Sequence, residues 1–207
     1  MRILIACEFS GHVRNAFAAK GHDVWSCDLL SSKSPGNHIQ GNALDFLDDN
    51  WDLMIAHPPC QYLSLAGIKY WSIPERQVKQ QLAFDFFIRL YQAPINKICI
   101  ENPVGYINQH FRKPDQIIHP WYFGERKMKR TCLWLRGLPK LFWIKESTLF
   151  DKQTTTIKPS PIYIRQRGKT AGKKIHWTEA CPGGKDRSQI RSITSPAIAK
   201  AMAEQWG

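Results

Sequence analysis

The chain has 207 residues, of which 43% are hydrophobic and 22% charged, and its net charge is +12. This length supports one sizeable core with a small appendage, and the composition is that of a globular protein. No stretch is apolar and long enough to span a bilayer, and the run of residues 1–6 is too short for a secretory signal, so we expect a cytoplasmic protein.

The positive charge is concentrated in the second half. Residues 1–103 carry nine Lys and Arg against ten Asp and Glu, a net charge of −1, whereas residues 104–207 carry twenty against seven, a net charge of +13. An excess confined to one half favours contact with a polyanion over an evenly solvated surface. Because the sequence has no basic amphipathic helix with an aromatic face, we expect nucleic acid, and not a membrane, as the partner.

The first half alternates apolar, strand-like runs with stretches of helical spacing. In chain order it predicts a strand at 2–7, a helix at 11–20, strands at 23–27 and 38–41, a short helix or turn at 45–50, a strand at 51–56, a helix at 74–92 and a strand at 95–100. In the long helix we expect Val78, Leu82, Phe86 and Leu90 to form the buried stripe. The alternation predicts an α/β fold with a doubly wound, mostly parallel sheet.

The pattern changes after residue 103. Residues 116–120 and 131–136 predict two strands that could pair antiparallel, and residues 196–206 predict a closing helix with Ile198, Ala201, Met202 and Gln205 at helical spacing. Between them, 162–167 predicts a strand and 168–174 a turn. We therefore divide the chain into an α/β domain (1–136), a basic region (137–190) and a closing segment (191–207) that packs on the α/β domain.

None of the spacings between the six cysteines is of the CxxC kind, so neither a metal site nor a disulfide framework is expected. Cys7, Cys27, Cys99 and Cys132 lie in or beside apolar runs and are predicted to be reduced core residues. No role is predicted for Cys181. Cys60 differs from the others, because it follows two prolines that end the strand 51–56 and fix the position of the next residue.

Glu101 and Asn102 follow the strand 95–100 as Cys60 follows the strand 51–56. Two parallel strands would bring this thiol and this carboxyl to the same edge of the sheet, where ligands bind in open α/β folds. A cysteine at a strand end is more often a packing residue, but a thiol next to an acid favours covalent catalysis. We interpret His57, His119 and His176 as loop or structural histidines.

Three further positions point to a nucleotide-like cofactor. The turn Phe9-Ser10-Gly11 joins the first strand to a helix, where backbone amides can approach a ligand, although an ordinary turn explains it equally well. Asp28 ends the second strand, at the position that holds ribose hydroxyls in nucleotide-binding folds. The alternative interpretation of Asp28 is a helix cap or an ordinary acidic loop residue. Asn42 could bond an adenine edge or be an ordinary turn residue.

These residues together resemble the DNA cytosine-5 methyltransferases, in a compact form similar to those of bacteriophages and prophages. The family's PPCQxxSxAG pattern is present at residues 58–67 as PPCQYLSLAG, and its ENV motif as Glu101-Asn102-Pro103. Phe9-Ser10-Gly11 and Asp28 occur in the family's order, and Arg130 precedes the strand 131–136 as the last Arg of the family's QxRxR does. The resemblance covers residues 1–136 well and the last helix loosely.

The resemblance implies a Rossmann-like fold that binds S-adenosylmethionine through Phe9, Ser10, Gly11, Asp28, Asn42 and Pro58. It implies a target cytosine flipped out of duplex DNA. Cys60 would add to C6, Glu101 would protonate N3, and Arg130 would hold the base carbonyl or steady Cys60. These roles predict that the loop lowers the pKa of Cys60 and that burial raises the pKa of Glu101.

The chain departs from the family at several positions. His12-Val13-Arg14 replace glycines, Asn42 replaces an acid, Pro103 replaces Val, Arg126 and Met128 stand where QxRxR begins, and Ser195-Pro196 replace Gly-Asn. The region left for target recognition is short. We expect its DNA contacts, together with Lys129, to come from the following cations: Arg165, Arg167, Lys169, Lys173 and Lys174. So short a region favours low sequence specificity or help from a second subunit, as in a homodimer.

Three alternatives remain open. The first is a weak or inactive relative that binds DNA, which the altered cofactor motifs favour and the intact Cys60 and Glu101 oppose. The second is an amino-group methyltransferase, which typically has an aromatic residue where Cys60 follows the prolines. The third is a different substrate, either RNA or a free nucleotide, and the +13 half opposes the free nucleotide.

Overall fold

A seven-stranded sheet forms the centre of the molecule. The structure is a computed structural model that describes residues 1–143, 158–176, 180 and 187–207. The strand order is β3-β2-β1-β4-β5-β7-β6. The strands are β1 Arg2–Ala6, β2 Asp23–Asp28, β3 His38–Gln40, β4 Leu53–Ala56, β5 Lys97–Asn102, β6 Gln116–Ile118 and β7 Thr131–Arg136. The first five pair in parallel, and β7 is antiparallel to both β5 and β6.

Helices cover the sheet. They are α1 His12–Ala18, α2 Pro74–Tyr91, α3 Tyr106–His110, α4 Arg187–Ser192 and α5 Pro196–Trp206, with short 3-10 helices at Ala43–Phe46, Leu65–Tyr70 and Pro120–Phe123. Strands β8 Tyr163–Ile164 and β9 Lys174–Ile175 form a separate antiparallel hairpin. No helix in the described ranges is both long enough and apolar enough to cross a membrane.

The sheet is buried on both faces, which confirms the predicted doubly wound arrangement. Alternate strand residues such as Met54 pack with Phe87 and Leu90 of α2. The intervening residues, such as Ile55, pack with α1 and with Met202 of α5. Burial on both faces explains why the central strands read as continuous apolar runs instead of alternating polar and apolar residues.

The predicted stripe of α2 is wrong in its first half. Val78 and Leu82 are 63% and 64% exposed, whereas Leu90 is fully buried. Gln80 is buried instead, and its Nε2 donates to the carbonyl of Tyr62 at 2.9 Å. The prediction assumed that the whole helix lies on the sheet, but its first half borders a cavity that Leu82 lines.

The second half follows the prediction in outline. The strands β6 and β7 pair antiparallel as expected, and α5 buries Ile198, Ala201 and Met202, whereas Gln205 lies outside the core. The strand predicted at 162–167 is shorter, since only Tyr163–Ile164 pairs. Parts of the basic region (144–157, 177–179 and 181–186, which includes Cys181) lie outside the described residues.

Candidate active site

The carboxyl ends of β4 and β5 bring the loop with Cys60 next to Glu101. Ala56 pairs with Ile100, so the residues that follow each strand lie side by side. The amide of Asn102 donates from its Nδ2 to the carbonyl of Pro58 at 3.0 Å and ties the two segments together. The juxtaposition of thiol and carboxyl expected from the sequence is therefore present.

The loop that carries Cys60 is held on both sides. The carbonyl of Cys60 accepts from the backbone amides of Leu63 and Ser64, at 3.1 and 2.9 Å. The amide of Tyr106 in turn donates to the carbonyl of Leu63 at 2.7 Å. A Cβ atom at Gly105 would overlap this same carbonyl, so the close approach of the two segments requires glycine there.

Glu101 is 8% exposed and surrounded by donors. Its Oε2 accepts from Nδ1 of His57 at 2.7 Å and from the hydroxyl of Thr194 at 3.1 Å, and Nζ of Lys129 lies 3.6 Å from Oε1. Burial opposes ionisation, but the charge of Lys129 and the bonds from His57 and Thr194 outweigh it and lower the pKa of Glu101 to about 2. The expectation of a raised pKa is therefore wrong, and Glu101 is a carboxylate at neutral pH.

For the thiol of Cys60, burial outweighs the effect of the nearby positive charges on the pKa. Burial raises its pKa, and the nearby charge of Glu101 adds to this effect. Lys129 and Arg191 favour the thiolate but do not overcome the burial. The positive surroundings expected from the sequence are present, yet the predicted lowering of the pKa is wrong, because the loop also shields the sulfur from water.

The cation beside Glu101 is Lys129, whereas the sequence assigned this place to Arg130 and a DNA contact to Lys129. Nζ of Lys129 also lies 3.4 Å from the carbonyl of Ile193, to which it donates. Arg130 is exposed, and its charge acts on His119 and Cys132 instead. Lys129 and Arg130 are neighbours in the segment before β7, so an assignment shifted by one position places an exposed residue in the site.

Two residues of the site were missed by the sequence analysis. His57 was interpreted as a loop or structural histidine, yet it contacts Glu101 from the first position after β4. The position of His57 between a buried strand and two prolines was the sequence feature that could have indicated its place in the site. Thr194 gave no signal, because its contact with Glu101 spans 93 residues. Nε2 of His57 is buried and has no hydrogen-bond partner within the described ranges.

The segment before α5 closes the site. Nδ1 of His12, at the start of α1, lies 3.0 Å from the carbonyl of Thr194. Ser195 donates its hydroxyl to the carboxylate of Glu125, and Ile193 accepts from Lys129. Residues 193–195 thus link the amino end of α1 to the segment before β7 and hold the hydroxyl of Thr194 against Glu101.

A cavity of about 420 Å³ opens at the same edge of the sheet. This volume lies in the range of small-molecule sites. It is lined by Cys7, Cys27, Asp28, Leu29, Gly41, Asn42, Ala43, Pro59, Tyr62, Lys79, Leu82, Ala83 and Phe86. Asp28 accepts from the amide of Leu30 through Oδ1 alone, and Asn42 accepts from the amide of Leu44 through its Oδ1, so each has polar capacity left for a ligand.

Phe9, Ser10, Gly11 and Pro58 do not line this cavity. The carboxylate of Glu8 accepts from the amides of Val13 and Arg14, at 2.7 and 3.2 Å, so these two amides at the start of α1 are already bonded within the chain. A ligand cannot use them while Glu8 stays in place. The cofactor contacts assigned to the four residues stay predictions.

Arg14, which stands where the resembled family has a glycine, anchors the loop after β2. It is 1% exposed, and its guanidinium donates to the hydroxyl of Ser26 at 2.9 Å and to the carbonyl of Pro35 at 2.7 Å. It also reaches the carbonyl and the hydroxyl of Ser34, both at 2.8 Å. Arg14 therefore has a structural role at this position, because the loop that it anchors also contains Leu29, which lines the cavity.

The β8–β9 hairpin carries the cations expected to contact DNA. Arg165, Arg167, Lys169, Lys173 and Lys174 are all exposed. The turn between the strands is ordered by its own bonds, since Nη1 of Arg165 donates to the hydroxyl of Thr170 at 2.7 Å. Tyr163 is 50% exposed on the same hairpin. Their contact with DNA stays a prediction.

No family model matches the sequence, and no curated protein matches it. Among solved structures, a similar chain is an E. coli protein provisionally described as a DNA modification methyltransferase encoded within a prophage. The two are 16% identical, and the match covers 64% of this chain and 45% of that one with a TM-score of 0.41. This chain thus spans less than half of that protein, and a likeness of this size carries no argument about activity.

Proposed function

We propose that the protein transfers a methyl group from S-adenosylmethionine to C5 of cytosine in DNA through a covalent bond between Cys60 and C6. The observation that carries the proposal is the shared edge of β4 and β5. There a thiol, a buried carboxylate and the cation of Lys129 lie together at the ends of adjacent parallel strands. A nucleophile with an ionisable acid and a cation beside it is an arrangement suited to covalent catalysis.

The cavity fits the nucleoside part of the cofactor. Asp28 can bond the ribose hydroxyls, and the amide of Asn42 can both donate to and accept from an adenine edge. Leu29, Leu82 and Phe86 offer apolar walls for the ring. When bound, S-adenosylmethionine supplies a methyl group on a positively charged sulfur. Asn42 carries no charge, so we expect weaker binding than an acid at this position would give.

Cys60 and Glu101 share the work on the base. A sulfur–C6 bond raises the electron density at C5 so that this carbon can take the methyl group. A base or water then removes the proton from C5, and the sulfur–C6 bond breaks as Cys60 leaves. Glu101, which is ionised in the free protein, would first take up a proton from solvent and then deliver it to N3, which removes the negative charge that the addition would leave on the ring. Lys129 lies where it can neutralise charge on either side chain. The assisting role predicted for Arg130 passes to Lys129 in this proposal.

Duplex DNA is the proposed partner because the net positive charge lies in the half that carries the exposed hairpin. Lys and Arg on such a hairpin bind phosphates and position the duplex. The target base must leave the stack to reach Cys60, and an aromatic side chain such as Tyr163 is suited to stack in the gap.

The test is transfer of labelled methyl groups to duplex DNA, followed by base analysis of the product. We expect label in 5-methylcytosine with the wild type, no label with Cys60→Ser, and a covalent adduct on DNA that contains 5-fluorocytosine. Cys99→Ser is the matched control, because Cys99 is a fully buried strand residue that cannot reach a base. Label on an amino group, or transfer that survives in Cys60→Ser, would contradict the mechanism.

A second candidate is a DNA-binding relative without activity. The protonation states favour it, since Cys60 holds its proton and Glu101 lacks one, which is the reverse of what the reaction requires. This candidate predicts salt-sensitive DNA binding with neither methyl transfer nor adduct.

A further inference from the structure

Two isoleucines of the β8–β9 hairpin have no role in the phosphate contacts proposed for its cations. Ile162 is 60% exposed and Ile164 is 43% exposed. A single exposed isoleucine is ordinary on a protein surface. Two of them beside a cluster of charged residues, on a segment suited to binding, are instead a candidate contact surface.

The hairpin is a two-stranded ribbon that is exposed along most of its length. Every residue from 162 to 174 is exposed, and only at Ile175, with 2% exposure, does the ribbon become buried. The backbone amide of Arg165 donates to the carbonyl of Lys173 at 3.0 Å, one step beyond the paired strands. Nη1 of Arg165 also donates to the hydroxyl of Thr170 at 2.7 Å, so the turn is ordered. The ribbon therefore has a defined shape to offer to a partner.

The register of the two strands assigns a face to each side chain. Tyr163 pairs with Ile175, and Ile164 pairs with Lys174. Directly opposed residues share a face, and successive residues alternate between faces. Because Ile175 is buried, its face turns toward the rest of the chain, and Ile164 lies with Lys174 on the outer face. Ile162, which directly precedes the strand, is the more exposed of the two isoleucines.

The charge of the ribbon selects the partner. Residues 158–176 contain six Lys and Arg and no Asp or Glu, which complements a polyanion. An anionic membrane would require the isoleucines to enter the acyl region. The tip of the ribbon, residues 168–171, carries Lys169 and no large apolar side chain, and this opposes insertion. Duplex DNA, the partner in the proposed function, fits the charge without that requirement.

The dimensions of the major groove suit such a ribbon. The groove is about 12 Å wide and admits two β-strands side by side. The base edges present one apolar group there, the C5 methyl of thymine. We propose that Ile162 and Ile164 contact thymine methyl groups in the major groove and give the protein a preference for A·T pairs near its target. This inference rests on the DNA partner of the proposed function and not on the methyl transfer.

The cations and the isoleucines of the ribbon then have separate tasks. Lys and Arg bind phosphates in any sequence, and this part of the affinity falls as salt rises. Contact between an isoleucine and a methyl group carries no charge, so the preference for thymine is independent of salt. Two apolar contacts give a preference and not a strict target sequence, which agrees with the short region left for recognition.

The test compares two short duplexes of alternating A·T pairs, one with thymine and one with uracil at every thymine position. The two differ only in the methyl groups of the major groove. By fluorescence anisotropy, we expect the wild type to bind the thymine duplex at least about fourfold more tightly, the effect of burying one methyl group. This ratio should stay constant from about 50 to about 200 mM salt while both affinities fall. Equal affinities for the two duplexes would overturn the proposal, whatever the variants do.

Three double or single variants assign the effect to the ribbon. Ile162→Ser with Ile164→Ser should bind both duplexes equally, whereas Ile162→Val with Ile164→Val should keep the ratio, because valine still offers methyl groups. Ile117→Ser is the matched control, since Ile117 lies on strand β6 and is 42% exposed, as Ile164 is 43% exposed. A ratio that survives in the double serine variant, or is lost in Ile117→Ser, would overturn the assignment.

The same duplexes separate this inference from the proposed chemistry. They contain no cytosine, and no cofactor is added, so the thymine preference can be present without methyl transfer and absent with it. Sedimentation with phosphatidylserine vesicles tests the membrane. Vesicle binding that requires Ile162 and Ile164, together with equal affinities for the two duplexes, would assign the isoleucines to a lipid surface and refute the thymine contact.

Discussion

The side-chain amide of Asn102 donates to the carbonyl of Pro58 across 3.0 Å, and this bond helps to join the end of β5 to the loop that carries Cys60. Both residues are buried. The strands fix where each segment leaves the sheet, and this bond, together with the one between His57 and Glu101, holds the two segments together beyond the sheet. The spacing of Cys60 and Glu101 therefore depends on a residue that takes no part in the chemistry.

Asn102→Ala should for this reason affect activity more than stability. We expect a loss of about 1–2 kcal/mol in the free energy of unfolding, the usual cost of a buried acceptor left without its donor. The rate of methyl transfer should fall at least about tenfold, because a displaced nucleophile reacts poorly. Urea unfolding and the transfer assay measure the two effects. Unchanged transfer with lowered stability would mean that the loop holds Cys60 without this bond.

The ionisation of Glu101 makes the free energy of unfolding depend on pH. Its pKa is about 2 in the folded chain against an ordinary value of 4.5. A lowered pKa stabilises the fold above the ordinary value, and the contribution is lost as the pH falls through the folded value. Compared with Glu101→Gln, the wild type should therefore lose an advantage on the order of a few kcal/mol between about pH 4.5 and about pH 2.

Urea unfolding at several pH values measures this difference. Glu204→Gln is the matched control, because Glu204 lies on the exposed side of α5 and pairs with Lys200 at 3.8 Å. An advantage of the wild type over Glu101→Gln that stays constant from neutral pH to the acid range would contradict the lowered pKa.

The sequence predicted most of this fold because buried parallel strands have an unmistakable pattern. It failed in the first half of α2, where Val78 and Leu82 keep the helical spacing of a core but are both exposed, and Leu82 lines a cavity. For the site, the prolines and the strand ends correctly predicted that Cys60 and Glu101 lie close together. The directions of the two pKa shifts depend on burial and on side chains remote in sequence, such as Lys129, and Thr194 comes from the far end of the chain, so no local pattern records them.

Arg14 should be needed for the loop after β2. Arg14→Lys keeps the charge but cannot reproduce the forked contacts with Ser26, Ser34 and Pro35. We expect it to lower the free energy of unfolding by about 3 kcal/mol, in the range for a broken buried network. Lys20→Arg, an exposed exchange just beyond α1, should change little. Chemical denaturation measures both, and a neutral Arg14→Lys would show that the loop is held by other contacts.

The hairpin predictions separate binding from chemistry. Replacing Arg167 and Lys169 together by Ala should weaken DNA binding and reduce the slope of log affinity against log salt by about 0.9 per lost phosphate contact. Replacing Lys20 and Lys97, exposed cations near the amino edge of the sheet, removes the same charge as a control. Equal effects in both pairs, measured by fluorescence anisotropy, would mean that net charge and not the hairpin binds DNA.

Two exposed apolar residues of α2 test the cofactor cavity. Leu82 lines the cavity and Val78, one turn earlier, does not, although the two are equally exposed at 64% and 63%. A carboxylate at either position stays in water, so both Leu82→Asp and Val78→Asp should fold normally. Only Leu82→Asp removes an apolar wall from the proposed adenine site and puts a charge there, so it should weaken S-adenosylmethionine binding by at least about tenfold. Isothermal titration calorimetry measures this, and equal affinities in the two variants would place the cofactor elsewhere.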